Sequence, residues 1–93
     1  MNPLPIIELR LYKAGNGPNS IRAVANAQAL CREHNTVQQC QLEVIDVLEA
    51  PWRALQDGVL VTPTLLRIFP NPMVRIIGDL SERAQVLVAL NMG

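Results

Sequence analysis

Residues 59–69 read Val-Leu-Val-Thr-Pro-Thr-Leu-Leu-Arg-Ile-Phe, an apolar run broken by Pro63 and resumed with strand character from Thr64 to Phe69. A loop holding Pro70, Asn71 and Pro72 follows, and Met73 to Ile77 repeats the strand character, so the pair predicts a β-hairpin closed by Gly78-Asp79. Upstream, Glu49 to Gly58 has Pro51 where a first helical turn tolerates proline and Gly58 where a helix ends, which predicts a short helix. Before it, Cys40 to Leu48 is β-branched and apolar on both faces, the pattern of a strand inside a sheet covered on each side. Ile7, Leu9 and Leu11 alternate with Glu8, Arg10 and Tyr12 as a first strand, which Ala14-Gly15-Asn16-Gly17-Pro18 breaks. Asn19 or Ser20 is then placed to cap a helix whose apolar face is Ala23, Val24, Ala27, Leu30 and Cys31, opposite Arg22, Asn26 and Glu33. Downstream, Ser81 is placed to cap a segment through Ala84, Val86, Leu87, Val88, Ala89 and Leu90. That segment is apolar nearly all round and reads equally as helix or strand.

The summed order is β-α-β-α-β-β-α, that of a thioredoxin-like α/β single domain spanning residues 1–93. Thioredoxins carry a CxxC at the start of the first helix and a cis proline before the third strand. Here the first position holds Gly17-Pro18-Asn19-Ser20, where no thiolate can form, while Val61-Thr62-Pro63-Thr64 fills the second. The scaffold is present without its redox chemistry.

Composition narrows the function further. Eight Lys+Arg balance eight Asp+Glu, which removes the broad positive field of a phosphate-tracking nucleic-acid binder, and 3% aromatic residues leave little surface for base stacking. Seven of the eight cations are Arg, the planar fork suited to carboxylate pairing at protein interfaces. The longest apolar run, Val86 to Leu90, is far too short to span a bilayer, and the first residues have no signal-peptide pattern, so the chain is expected in the cytoplasm. Cys31 and Cys40, with His34 as the single histidine, make neither a CxxC pair nor a zinc set and are expected to be plain buried thiols. His34 is expected to be a satisfied residue at a helix C-terminus, Asp46 a turn-facing carboxylate, and Trp52 a core residue rather than a partner anchor. With neither GxxxxGK[ST] nor GxGxxG present, no nucleotide site and no cofactor are expected.

Four strings taken together resemble the KaiB family of bacterial clock proteins: Leu11 to Ala23, Val44 to Leu48, Thr62 to Leu65 and Pro72 to Ser81. The resemblance covers about residues 6–90. It implies a non-enzymatic adaptor that docks on the N-terminal ATPase ring of a KaiC-type hexamer, with KaiA and a SasA-type kinase as further partners. It also implies a metamorphic chain, whose tetrameric resting form has a different C-terminal half and whose binding form has the thioredoxin-like order. Arg22, Arg67 and Arg75 are the partner-contact residues so implied, and Pro63, Pro70, Ala89 and Asn91 are the cis-proline and fold-switch positions. Ala89 and Asn91 stand where the family commonly has Gly and Asp, and alanine in place of glycine at 89 is expected to favour the thioredoxin-like form. The competing readings are a KaiB-like regulator of an ATPase in stress response without circadian timing, and a sensor domain excised from a SasA-type kinase.

Overall fold

A computed structural model describes residues 6–35 and 39–92. Seven elements follow in the expected order: β1 (Ile6–Lys13), α1 (Pro18–His34), β2 (Gln39–Asp46), α2 (Pro51–Gln56), β3 (Thr64–Phe69), β4 (Val74–Ile77) and α3 (Arg83–Leu90). The strands form one sheet in the order β2-β1-β3-β4, with β1 parallel to β2 and antiparallel to β3, and β4 antiparallel to β3. The hairpin expected from the prolines is present, and the apolar last segment folds as a helix.

The alternation of β1 divides the core into two layers. Ile7, Leu9, Leu11 and Leu65 point to one side, where Ala23, Ala27, Leu30 and Cys31 of α1 and Val86 and Leu90 of α3 cover them. Tyr12, Ile45 and Leu66 point to the other side and meet Ala54 of α2 and Val59.

Three local expectations are corrected. The second strand is an edge strand, not a central one. Its apolar residues serve two layers, with Leu42 packed on the α1 side and Ile45 on the α2 side, while Glu43 and Val44 stay exposed. Neither Asn19, Ser20 nor Ser81 caps a helix. Gly17 in extended conformation precedes α1 with Pro18 in the first turn, and Ser20 Oγ instead donates to the Ala14 carbonyl at 3.3 Å. Glu82 precedes α3 with no side-chain cap. Cys31 and Cys40 are not free thiols but a disulfide, since the last turn of α1 returns so closely to the start of β2 that their Cα atoms lie 5.3 Å apart.

Candidate functional site

The end of the sheet where β1 and β2 finish is built around Asp46. Its Oδ1 accepts the backbone N–H groups of Gly15 at 3.2 Å and Leu48 at 2.9 Å, and its Oδ2 pairs with Lys13 Nζ at 3.4 Å. These backbone N–H groups, and secondarily Lys13, hold the carboxyl below the usual range. Lys13 also donates to the Gly15 carbonyl at 3.0 Å and Asn16 Oδ1 at 3.1 Å, so one ion pair ties the β1–α1 turn to the end of β2. Gly15 has φ +66°, a conformation that L side chains rarely adopt, and Leu48 lies directly over it. Asp46 is thus the turn-facing carboxylate the sequence implies.

Beside that turn, the first residues of α1 and the Thr62-Pro63 segment line a shallow cleft. The Thr62–Pro63 bond is cis, as the Val-Thr-Pro-Thr string suggests, and the Phe69–Pro70 and Asn71–Pro72 bonds are cis as well. The residues facing Pro63 across the cleft are Ala14, Gly17, Pro18, Asn19 and Ser20, none of which is a thiol or a general base. Around this end the chain exposes large apolar side chains: Leu48 is 72% accessible, Leu60 89% and Val61 48%. On α2, Trp52 and Leu55 are also exposed, which corrects the assignment of Trp52 to the core. The short α2 buries only Ala54, leaving its remaining face to solvent.

The three arginines do not share one surface. Arg22, on the exposed side of α1, pairs through Nε with Asp79 Oδ2 at 3.0 Å and also donates to Asn19 Oδ1. Asn26 Nδ2 donates to the Asp79 carbonyl at 2.8 Å, so α1 grips the β4–α3 junction at two atoms. Asp79 Oδ1 in turn accepts the Ser81 N–H at 3.0 Å; its carboxyl is held below the usual range by hydrogen bonds from Ser81 and then Arg22. The gripped junction contains Leu80, a buried residue with φ +66°, a conformation costly for a bulky side chain.

Arg67 is buried, unlike Arg22 and Arg75. It donates to the Leu90 carbonyl at the end of α3 (2.8 Å) and to the Pro72 carbonyl (2.9 Å), while its Nε has no partner. A cation is favoured at that helix terminus, so Arg67 joins α3 to the β3–β4 loop. Arg75 pairs in register with Leu66 and so projects to the α2 side, where it donates to the carbonyls of Gly58 (2.6 Å) and Asp57 (3.2 Å). Ala89 is exposed within α3, and Asn91 ends that helix at φ +57°. Asn tolerates this left-handed conformation better than most residues.

A polar web under α2 escaped the sequence reading. The Tyr12 hydroxyl donates to Asp57 Oδ2 at 2.5 Å and lies 3.0 Å from the Arg53 carbonyl. Arg10 reaches Asp57 at 3.0 Å and Glu43 at 3.6 Å, and Arg53 holds Glu43 through both carboxylate oxygens at 2.5 and 2.8 Å. Burial, reinforced by Asp57, pushes the Tyr12 phenol up to about 12. Burial opposes ionisation of Asp57, yet hydrogen bonds from Tyr12 and Arg10 outweigh it and leave that carboxyl below its ordinary value. His34 is satisfied by the Leu30 carbonyl, 2.9 Å from Nδ1. Among the described residues no cluster of His, Cys, Asp and Glu is arranged to hold a metal, and no helix is long and apolar enough to cross a membrane.

Comparison with known proteins agrees with this scaffold. The KaiB domain profile matches residues 10–92. The chain is 45% identical to circadian clock protein KaiB3 of Synechocystis sp., over 92% of this chain and 83% of that protein. It is likewise 45% identical to circadian clock oscillator protein KaiB of Synechococcus elongatus, over 99% and 89%. Among solved structures, the N-terminal domain of Synechococcus elongatus SasA superposes with TM-score 0.75 at 23% identity, covering all of this chain and 90% of that domain. Chloroplastic thioredoxin z superposes with TM-score 0.71 at 15% identity, over 95% and 80%. At these identities the two structures establish the thioredoxin-like fold alone.

Proposed function

The chain belongs to the KaiB family of non-enzymatic regulatory proteins, and from that premise we propose that it docks on the N-terminal ATPase ring of a KaiC-type hexamer and so regulates the ring's cycle. The observation that carries this reading is the end of the domain around cis-Pro63. It keeps the exposed apolar rim of Leu48, Leu60 and Val61, yet has no thiol where a thioredoxin has its redox pair. An exposed apolar rim, with Arg22 on the exposed side of the helix whose first residues line the cleft, suits a protein partner whose acidic residues set orientation and on-rate. The 45% identity to KaiB proteins, against 23% to the SasA domain, favours the adaptor over an excised kinase sensor.

We also take the present fold as the docking form, with the tetrameric resting form differing in its C-terminal half. Two packings of one chain coexist only when they differ by a few kcal/mol. Ala89, exposed in the last turn of α3, and Asn91 at its left-handed end both support the helical packing.

Native mass spectrometry of this protein mixed with the KaiC-type ATPase of its own organism and ATP tests the proposal. Up to one copy per ring subunit is the expected result, and absence of a complex at every time and nucleotide state refutes it. Arg22→Glu should weaken ring binding without unfolding the domain. Asp79→Asn separates the roles of Arg22: if the arginine acts only by gripping Asp79, both variants lose affinity equally, whereas a direct contact leaves Asp79→Asn close to the parent.

A further inference from the structure

The first half of the chain carries a covalent tie that neither the fold nor the docking reading requires. Cys31 lies in the last turn of α1 and Cys40 is the second residue of β2, and both belong to the apolar layer under α1. Among the described residues β2 is an edge strand with β1 as its one sheet neighbour, so within that sheet it is held on one side. The tie acts where that edge begins, because Cys40 stands opposite Ile7 in the register and its N–H is further fixed by Asn35 Oδ1 at 2.8 Å. We propose that Cys31 and Cys40 form a reversible redox staple, open as two thiols and closed as the disulfide, whose state sets how firmly β2 is held to the rest of the domain.

The surroundings fit a pair acted upon by exchange rather than one that catalyses it. Catalytic thiols are commonly placed at helix N-termini, whereas Cys31 stands at the C-terminal end of α1. Access requires only local opening. Gln39 and Gln41 flank Cys40 and are exposed, and fraying the first residues of an edge strand uncovers its sulfur without disturbing β3 or β4. Closure consumes one molecule of a low-molecular-weight disulfide such as glutathione disulfide. The two protein thiols are oxidised to the Cys31–Cys40 bond and their protons pass to the two glutathione thiolates released. Opening uses a dithiol, which closes to its own disulfide as the protein pair takes up two protons and two electrons.

The test equilibrates the folded protein in glutathione buffers of graded thiol:disulfide ratio and reads it by intact mass after alkylation. Thermal melting and amide hydrogen exchange are followed on the same samples. The expected result is a single transition between no alkylation and two alkyl groups, with Tm lower by on the order of 10 °C in the dithiol form and faster exchange concentrated in β2. A Cys31→Ala/Cys40→Val variant, which keeps the site apolar, should melt near the reduced protein and ignore the buffer. Three results would overturn the proposal: two alkylated thiols at every ratio, a disulfide that opens only in denaturant, or a transition that leaves both Tm and β2 exchange unchanged. None depends on ring binding, so the staple and the docking proposal can fail separately.

Discussion

Ile7, Leu9, Leu11 and Leu65 leave the sheet into a continuous apolar layer under α1 and α3, whereas Arg10, Tyr12 and Arg75 leave the same sheet into a polar web under α2. The first layer gains from area removed from water and from close packing, which are non-directional and tolerate no void. The second is held by directed bonds to particular atoms: the Asp57 carboxylate, the Arg53 and Gly58 carbonyls and the Glu43 oxygens. A six-residue helix cannot bury enough surface to hold itself, and the web supplies what its area does not. The consequence is a division of labour. The α1/α3 face fixes the fold, and the α2 face can leave Trp52 and Leu55 in water because burying them is not what attaches the helix.

The largest test of this contrast truncates one buried leucine on each face. Leu65 and Leu66 are neighbours in β3, both with no accessible surface, pointing to opposite layers. Leu65→Ala should cost about 3–4 kcal/mol in urea denaturation, because the layer packed between the sheet and the 17-residue α1 cannot collapse into the void. Leu66→Ala should cost about 1 kcal/mol less, since the short α2 can settle toward the sheet. Equal losses would mean that the two layers are equally rigid and that the division is false.

Next in size is Tyr12→Phe, which keeps the ring and removes the hydroxyl on which the web converges. The expected loss is about 1–2 kcal/mol, most of it from leaving the Asp57 carboxylate short of a donor. A loss within error would show the web to be ornamental. The same contact has a pH signature. A phenol raised from 10.0 to about 12 contributes stability that is complete below pH 10 and is lost as pH rises toward 12. Tyr12 is the only tyrosine, so its ionisation is read directly from ultraviolet absorbance, and a midpoint near 10 would contradict the buried hydrogen bond. At the acid end the sign reverses. The depressed Asp57 and Glu43 carboxyls contribute stability above their ordinary range, and it is lost as pH falls through their lowered values.

These two layers were not equally legible. The α1 face, the hairpin, the short α2 and the Val-Thr-Pro-Thr loop follow from periodicity and from proline and glycine positions, which are local signals. The web was invisible because Tyr12 and Asp57 lie 45 residues apart and meet only through the α2 crossover. Strand order misled the reading of β2 for the same reason: an edge strand lying between two helices carries apolar residues on both faces, as a central strand does. Trp52 is expected inward because a short helix must bury something, but in α2 the buried position is Ala54 and Trp52 faces solvent. The grip of Arg22 and Asn26 on Asp79 was half legible. Their spacing of one helical turn on α1 places them on one side, but the residue they hold is 57 positions away from Arg22.

The smallest expected effect sharpens the contrast from inside the apolar layer, because α3 is its weaker half. Only Val86 and Leu90 of α3 are fully buried, no side chain caps its start, and the junction before it holds Leu80 in a left-handed conformation. Ala89 is exposed, so Ala89→Gly removes no packing and tests backbone propensity alone. Ala89 lies in the last turn of α3, so the expected cost is about 0.5 kcal/mol, the low end for glycine in a helix, seen as a lower urea midpoint with an unchanged m-value. Faster amide exchange should be confined to α3, with α1 still protected. If exchange rises equally in α1, the two helices open as one unit and the apolar face is a single cooperative block. If it rises in α3 alone, the C-terminal half is separately labile, which is the property that a chain with a second packing for that half requires.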